Sequence, residues 1–545
     1  MDISTVDFSN LLEELTDIGI ALSAQKDHRI LLEMILLKAK ELTNADGGTL
    51  YLRTNDDHLK FEIMITESLG IHKGGTSGEE IKFKPIALYD EFGQANNHMV
   101  ATWAVLSGET VNIEDAYTDA KFDFSGTRAF DQQTGYRSRS FLTVPLTNHE
   151  NSNIGVLQLL NAKDRETGAV KPFSELDQQV VESLASQAAV TITNQSLIVA
   201  QKKLFDAMIQ LIANAIDEKS PYTAGHCHRV PILTNMIADA ACRVSYGPLK
   251  TFSMSEPERY ALNVAGWLHD CGKITTPEFV VDKSTKLETI YDRIELVETR
   301  FEILKRDREI QLLRKKLAEL GSDPDPKTDS LFQSELIRLT DEYDFIRRSN
   351  IGGESMSETD KVNIRTIASR TWQGPDGTQQ KLLTDEEIYN LVVERGTLTA
   401  EERKVINNHI VVTINMLESL PYPKHLESVP EYAGGHHEKM DGTGYPRGLT
   451  RDQMSIPARM MGIADIFEAL TAGDRPYKKA MPLSQALSIL GRMKLGNHID
   501  PDLFDLFISE KVYLEYAEKY LSAEQIDEFD ITAIPGYFPI PFSTN

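Results

Sequence analysis

Thirteen histidines are spread over the 545 residues, and eight of them lie after residue 220, several beside carboxylates. "GWLHDCGKI" places His269 and Asp270 at the end of an apolar helical stretch, and "NNHIVV" carries His409. "GGHHEKMDG" carries His436 and His437, "GIADIFEAL" carries Asp465, and "YTAGHCHRV" adds His226 and His228. A lone histidine is ordinarily a satisfied core or surface residue. Several imidazoles and carboxylates on separate apolar helices argue instead for a shared ligand. Imidazole nitrogen with carboxylate oxygen suits Fe, Mn or Zn. Cys227, Cys242 and Cys271 lack the spacing of a structural zinc knuckle. Neighbouring residues on a helix project about 100° apart, so a His-Asp pair can face two ions with the aspartate between them. That geometry predicts a polynuclear site, of the kind that hydrolyses phosphoesters by clamping both oxygens of an in-line displacement.

Such residues need a scaffold to meet. Residues 8 to 43 read as two helices, with helical spacing in "LLEMILLKAKEL". Short β-rich runs follow: "GGTLYLRT", "LKFEIMI", "TVNIE", "SFLTVPL" and "NIGVLQLLNA", separated by turn formers. Helices, then strands, then a closing helix predict an α+β domain with an antiparallel sheet and flanking helices over 1–196. Its closing helix continues as a connecting helix over 174–216, with Ser174 as N-cap. Leu197, Leu204 and Leu211 recur every seven residues there, with Met208 and Ala215 at the a/d offset. Core packing within one chain and a parallel dimer helix both explain that spacing, and a homodimer through this helix is the expectation adopted.

From residue 205 the pattern is helical almost throughout. "RIELVETRFEILKRDREIQLLRKKLAEL", the breaker-rich "GSDPDPKTDS" and "LFQSELIRLTDEYDFIRRSN" read as an antiparallel helical hairpin, a solvated insertion within 288–395. The all-α domain spans 205–515 around it, and 516–545 reads as a C-terminal tail.

A formal net charge of −25 disfavours a nucleic-acid duplex or an anionic membrane surface as partner. A small anionic ligand stays open, since a local metal or cationic pocket overrules the global field. The acidic N-terminus lacks the order of a signal peptide, and no run of about 18 apolar residues occurs. Three cysteines are too few for a disulfide framework. The expectation is a reduced cytoplasmic protein.

"LHDCGKI", "HHEKMDGTGYPRGL", "IPARMMGIADIFEALTAGDRPYKKAM" and "GNHIDPDLFDLF" together resemble the HD-GYP family, bacterial phosphodiesterases for cyclic di-GMP within the HD metal-dependent phosphohydrolases. The likeness covers about 205–287 and 396–515. It implies metal ligation by His226, His269, Asp270, His409, His436, His437 and Asp465. It implies two divalent ions, Fe or Mn, with Tyr222 standing where some members place an acid for a third. Asp270 and Lys273 become the catalytic residues, and Lys273, Tyr445, Arg475 and Lys478 the substrate contacts. The implied product is pGpG, with GMP as a further one. Around His409 the chain departs from the usual His-Pro-x-x-Gly, having Ile410 and Thr413. His228 is not expected to be a ligand, because i and i+2 face apart on a helix.

The N-terminal region, about 12–196, resembles a GAF domain, a small-molecule sensor module closed here by "GVLQLLNAKDRETGAVKPFSELDQQVVESLASQAAV". Asn161, Lys163, Phe173 and Asp177 approximate the pattern of cyclic-nucleotide-binding members, but Ala162 intrudes and Gln178 replaces the glutamate. Asn161 and Asp177 read better as ties between strand end and helix, so the ligand of this domain, small molecule or protein, is left unknown. The alternatives to a cyclic di-GMP phosphodiesterase are a signalling scaffold without turnover and an enzyme for another cyclic dinucleotide.

Overall fold

Alternating side chains in the β-rich runs send every second residue to one face of a sheet, and helices must cover both faces. A computed structural model describes residues 5–219, 225–320, 329–353, 355–473 and 480–538. The chain divides into two units, Met1–Phe205 and Asp206–Asn545.

The first unit opens with α1 (Thr5–Ala24) and α2 (His28–Thr43), then strands β1 (Ala45–Arg53), β2 (His58–Thr66), β3 (Ile71–Gly74) and β4 (Ile86–Ala87). Helix α3 (Val100–Ser107), β5 (Val111–Ile113), α4 (Ser125–Thr134), β6 (Phe141–Thr147), β7 (Asn153–Lys163) and β8 (Val170–Lys171) follow. Helix α5 (Glu175–Asp217) closes the unit and runs past its boundary. The sheet has the order β3-β2-β1-β7-β6-β5, antiparallel throughout, with β4 on β2 and β8 on β7. Leu50 and Leu157 face a core with Leu32, Ile35 and Leu36 of α2 and Leu184 and Ala188 of α5. Tyr51 and Val156, one residue away, face the opposite side with Ala101 and Val105 of α3. Helix α2 starts where the Asp27 carboxylate accepts from the Arg29 amide at 2.8 Å. At the start of α5, Ser174 and Asp177 bond each other reciprocally, Ser174 Oγ accepting from the Asp177 amide at 3.1 Å.

The second unit carries α6 (His226–Arg243), α7 (Glu256–Leu268), a 3-10 turn (Cys271–Thr275) and α8 (Glu278–Val281). Helices α9 (Ile294–Leu320), α10 (Ser330–Asn350) and α11 (Glu358–Ala368), strands β9 (Thr371–Gln373) and β10 (Gln379–Lys381), and α12 (Asp385–Leu391) come next. Then follow α13 (Ala400–Asn407), α14 (His409–Glu418), α15 (Val429–Gly434), α16 (Ile456–Thr471), α17 (Leu483–Leu495), α18 (Pro501–Ser509) and α19 (Val512–Tyr520). Helices α6, α7, α14, α15 and α16 pack together around Val230, Leu262, Ile410, Ile414 and Phe467, all buried.

The insertion is not the purely helical, solvated hairpin that the sequence suggests. Helices α9 and α10 are antiparallel: Lys316 pairs with Asp329 at 2.6 Å near one end, and Asn350 reaches Asp292 at 2.9 Å at the other. Phe301, Leu339, Ile346, Ile364, Leu382 and Leu391 form a core of their own beneath them. The β9–β10 hairpin interrupts the all-α expectation, its turn built on Asp376 and Gly377. The expected tail begins inside α19, where Tyr516 is buried, and Ile534 and Tyr537 are buried further on. No helix among the described residues is long and apolar enough to cross a membrane.

Candidate metal centre

Five short stretches far apart in sequence converge in the second unit. His226 opens α6, and His269 and Asp270 follow α7. His409 opens α14, His436 and His437 follow α15, and Asp465 lies within α16. Gly272 lets the turn after Asp270 lie against α14. A Cβ there would sit 2.0 Å from the His409 carbonyl oxygen and 2.6 Å from the Thr413 nitrogen. Thr413, where the likeness leads one to expect glycine, accepts from the Gly272 amide through Oγ1 at 2.9 Å. The departure around His409 therefore supplies a bond that fixes the turn.

The donor atoms fall into two groups, His226 with His269 and Asp270, and His409 with His436 and His437. Asp270 faces both. Its Oδ2 is 3.4 Å from His226 Nε2 and 3.1 Å from His269 Nε2, and its Oδ1 is 3.3 Å from His409 Nε2. Asp465 Oδ1 joins the first group, 3.2 Å from His226 Nε2 and 3.8 Å from His269 Nε2. His437 Nε2 lies 3.2 Å from His409 Nε2. Two donors about 2.1 Å from one ion at right angles are about 3 Å apart, the spacing seen here.

Tautomers decide what these contacts are. His269 Nδ1 lies 2.7 Å from the Gly266 carbonyl oxygen, His409 Nδ1 2.5 Å from that of Ile406, and His436 Nδ1 2.6 Å from that of Ala433. A carbonyl only accepts, so each Nδ1 carries a proton, and Nε2 is the atom that offers a lone pair whenever the ring is neutral. In that form His269 and His409 point their lone pairs at carboxylate oxygens. His436 Nε2 and Asp270 Oδ1 are buried without a hydrogen bond among the described residues. Acceptor facing acceptor in a buried site is relieved by a proton or by a cation, and the imidazole and carboxylate donors present fit a divalent metal. Burial, with His269 nearby, pushes the His436 pKa down to about 4, and burial with His436 lowers that of His437. Both imidazoles are therefore neutral and ready to ligate. Burial opposes a charge on Asp270 and Asp465, but Lys273 and the surrounding histidines outweigh it and hold both carboxyls ionised.

Lys273 Nζ is 2.6 Å from Asp270 Oδ2. Burial works against its charge, yet Asp270 raises its pKa, so it stays an ammonium. Tyr445 stacks on His437 with ring centroids 4.9 Å apart, and burial pushes its phenol up to about 12. The loop carrying it is held by the buried Glu438, which accepts from the Arg447 amide at 2.7 Å and the Leu449 amide at 2.9 Å. His228 turns away to Asn214 at 2.7 Å and to the Trp267 ring. Arg475, Lys478 and Tyr222 lie outside the described residues. Glu468 escaped the sequence reading: its carboxylate takes His226 Nδ1 and pairs with Arg229 at 2.6 Å. It follows Asp465 by three residues and so shares its helix face, a spacing that was available to be read. Asp500 of "GNHIDPDLF" has a structural task, capping α18 and pairing with Arg451 and Arg459.

The first unit holds a cavity of about 420 Å³ whose walls include Tyr51, Phe61, Phe83, Phe124, Phe130 and Phe141. Polar residues also line it, Lys84, Asp123 and Gln158 among them, and Gln158 donates to Thr143 Oγ1 at 3.0 Å and accepts from Tyr51 OH at 3.3 Å. Asn161 ties the sheet to the preceding loop, accepting from the Arg139 amide at 2.7 Å and donating to the Arg137 carbonyl at 2.9 Å. Lys163 pairs with Asp46, not Asp177, and Phe173 is in the core.

Residues 27–192 match the GAF domain model and residues 382–503 match the HD domain model. The chain thus carries a GAF domain followed by an HD domain, and is HD-GYP-like. It is 40% identical over 119 residues to 3'3'-cGAMP-specific phosphodiesterase 3 of Vibrio cholerae, covering 22% of this chain and 25% of that one. A probable cyclic di-GMP phosphodiesterase of the same organism is 35% identical over 141 residues, 25% of this chain and 32% of that one. A cyclic di-GMP phosphodiesterase of Pseudomonas aeruginosa is 42% identical over 73 residues, 13% and 17%. The chain spans a third or less of the length of these relatives. The HD match includes His409, His436, His437 and Asp465, while His226, His269, Asp270 and Lys273 precede it.

Proposed function

We propose that residues 206–538 form a phosphodiesterase that opens cyclic di-GMP to linear pGpG at a centre of two divalent ions, Fe or Mn. The observation that carries this reading is Asp270 with one oxygen toward each histidine group. One station is His226, His269, Asp270 and Asp465, and the other Asp270, His409, His436 and His437. When bound, such ions lower the pKa of water and neutralise phosphoryl charge. The chain's own residues do the rest. Glu468 orients His226, and backbone carbonyls orient the other imidazoles. An ammonium has three donors, so Lys273 keeps two beyond its bond to Asp270 for a phosphoryl oxygen. Tyr445, stacked on His437, forms the rim against which the substrate lies.

The test is to purify the chain without oxygen, measure bound Fe, Mn and Zn, and follow cyclic di-GMP and 3'3'-cGAMP beside His436→Ala. Metal-loaded wild type that makes pGpG, with His436→Ala depleted of metal and inactive, is expected. Loaded wild type with no turnover overturns the enzyme reading in favour of a scaffold. Preference for 3'3'-cGAMP, for which one relative is named as specific, changes the substrate and keeps the chemistry.

The GAF domain is the sensor in this reading, its ligand entering the aromatic cavity. Helix α5 supports a homodimer: Leu204 and Leu211, seven residues apart, are 63% and 68% exposed, with Leu197 and Met208 also exposed along the heptad. Leu204→Lys with Leu211→Lys is expected to halve the mass measured by light scattering, and an unchanged mass removes the helix from the interface.

A further inference from the structure

The last residues of α5 grip the metal centre from behind. Lys219, two residues beyond the helix, directs Nζ at three backbone carbonyls: Lys273 at 3.1 Å, Ile274 at 2.5 Å and Thr276 at 2.6 Å. An ammonium has three donors, and here each meets one acceptor. These carbonyls belong to the end of the 3-10 turn, where negative dipole collects, and the Lys273 carbonyl also takes the Thr276 amide at 3.0 Å. Asp217, the last residue of α5, takes the Gly225 amide at 3.0 Å, immediately before His226. It also raises the pKa of the neighbouring Cys227 thiol, after burial and Asp270.

We propose that Lys219 is a positioning residue for Lys273, fixing the 271–276 turn through its backbone carbonyls, with Asp217 doing the same for the start of α6. This rests on the phosphodiesterase reading above. Inside the turn the Lys273 amide donates to the Asp270 carbonyl at 2.9 Å, Thr275 Oγ1 to the Gly272 carbonyl at 2.9 Å and the Thr276 amide to the Lys273 carbonyl at 3.0 Å. The Gly272 amide on Thr413 ties its beginning to α14, and Lys219 ties its end, at Lys273 and the residues after it, to the end of α5. A displacement of the α5 terminus therefore reaches Lys273 through carbonyls, without moving His269 or His436. Nothing in the HD-domain match points to Lys219, which precedes it by more than a hundred residues.

The test uses the full chain loaded with Mn²⁺ and bis(p-nitrophenyl) phosphate as a substrate indifferent to nucleotide recognition. Lys219→Met is expected to lower kcat about tenfold, as small misplacements of catalytic groups do, with KM within about twofold. Bound Mn²⁺ stays at the wild-type level, and amide hydrogen exchange rises at residues 271–276 but not in α7. Lys219→Gln, which keeps two donors, falls between, and gives the same reading at lower amplitude should the methionine variant not fold. Wild-type kcat, unchanged exchange at 271–276, or loss of Mn²⁺ in step with kcat each overturns the proposal. Wild type that hydrolyses no diester overturns the proposed function instead, and the exchange comparison still decides whether the clamp exists.

Discussion

The cavity of the GAF domain is walled largely by aromatic and aliphatic side chains, with polar groups such as Thr66, Ser138 and Gln158 and the charged Lys84 and Asp123 among its lining. The centre of the HD domain is the reverse: buried carboxylates and imidazoles within hydrogen-bond distance, with Lys273 and Arg229 as counter-charges. A largely apolar hollow is stable when empty, because most of its wall asks nothing of a ligand but shape. A buried constellation of acceptors depends on a cation, and without one it must hold protons or repel itself. One chain thus contains a site that tolerates vacancy and a site that does not.

The hardest test of this contrast is Asp270→Asn. It removes the charge shared by both stations, so bound metal measured by atomic emission falls sharply and turnover drops on the order of 10³-fold or more. Retained metal with activity would show that the two groups do not depend on their bridge. Lys273→Met separates charge at the phosphate from charge at the metal. Turnover is expected to fall by about 10²- to 10³-fold while metal content stays at the wild-type value.

Acid separates the two sites next. The folded pKa of His436 is depressed to about 4, so the unfolded chain takes up its proton first as pH falls. Stability from this group is full above about pH 6.5 and is lost as pH falls toward 4, which is about 2 kcal/mol between pH 7 and 5. His226, whose pKa is raised by its carboxylates against burial, works in the opposite sense. The clean measurement is therefore a difference: metal-free His436→Gln should show a flatter denaturation midpoint between pH 7 and 5 than metal-free wild type. Tyr51, which lines the GAF cavity, is pushed upward by burial and adds no acid dependence. The smallest effect belongs to Gln158→Leu, which leaves Thr143 and Tyr51 hydroxyls without their partner. It should cost about 1–2 kcal/mol in the unfolding of the first unit and leave bound metal unchanged.

Much of the fold was legible because its signals are local. "GTLYLRT", "FEIMI" and "GVLQLL" alternate, and they became β1, β2 and β7 with Leu50 on one face and Tyr51 on the other. The short β3, β4 and β8 were not, since two to four residues carry no period to read. The β9–β10 hairpin had a signal in "GPDG", but Thr371, Gln373, Gln379, Gln380 and Lys381 are exposed and give no apolar alternation around it. The insertion's core was hidden for another reason: Phe301, Leu339, Ile364 and Leu391 are buried against one another from four separate helices.

The sequence by itself determined the donor types, their distribution over separate apolar helical segments, and the place of His269 and Asp270 at the end of one of them. Those are properties of single segments, governed by spacing and residue chemistry. Only the tertiary structure decided that Asp270 divides its oxygens between two histidine groups, that Thr413 ties down Gly272, that Glu468 takes His226, and that Lys219 reaches the carbonyls behind Lys273. Between elements, these contacts join residues 44 to 242 positions apart. No local pattern encodes such a meeting, because packing the apolar faces of α6, α7, α14, α15 and α16 is what brings their polar ends together.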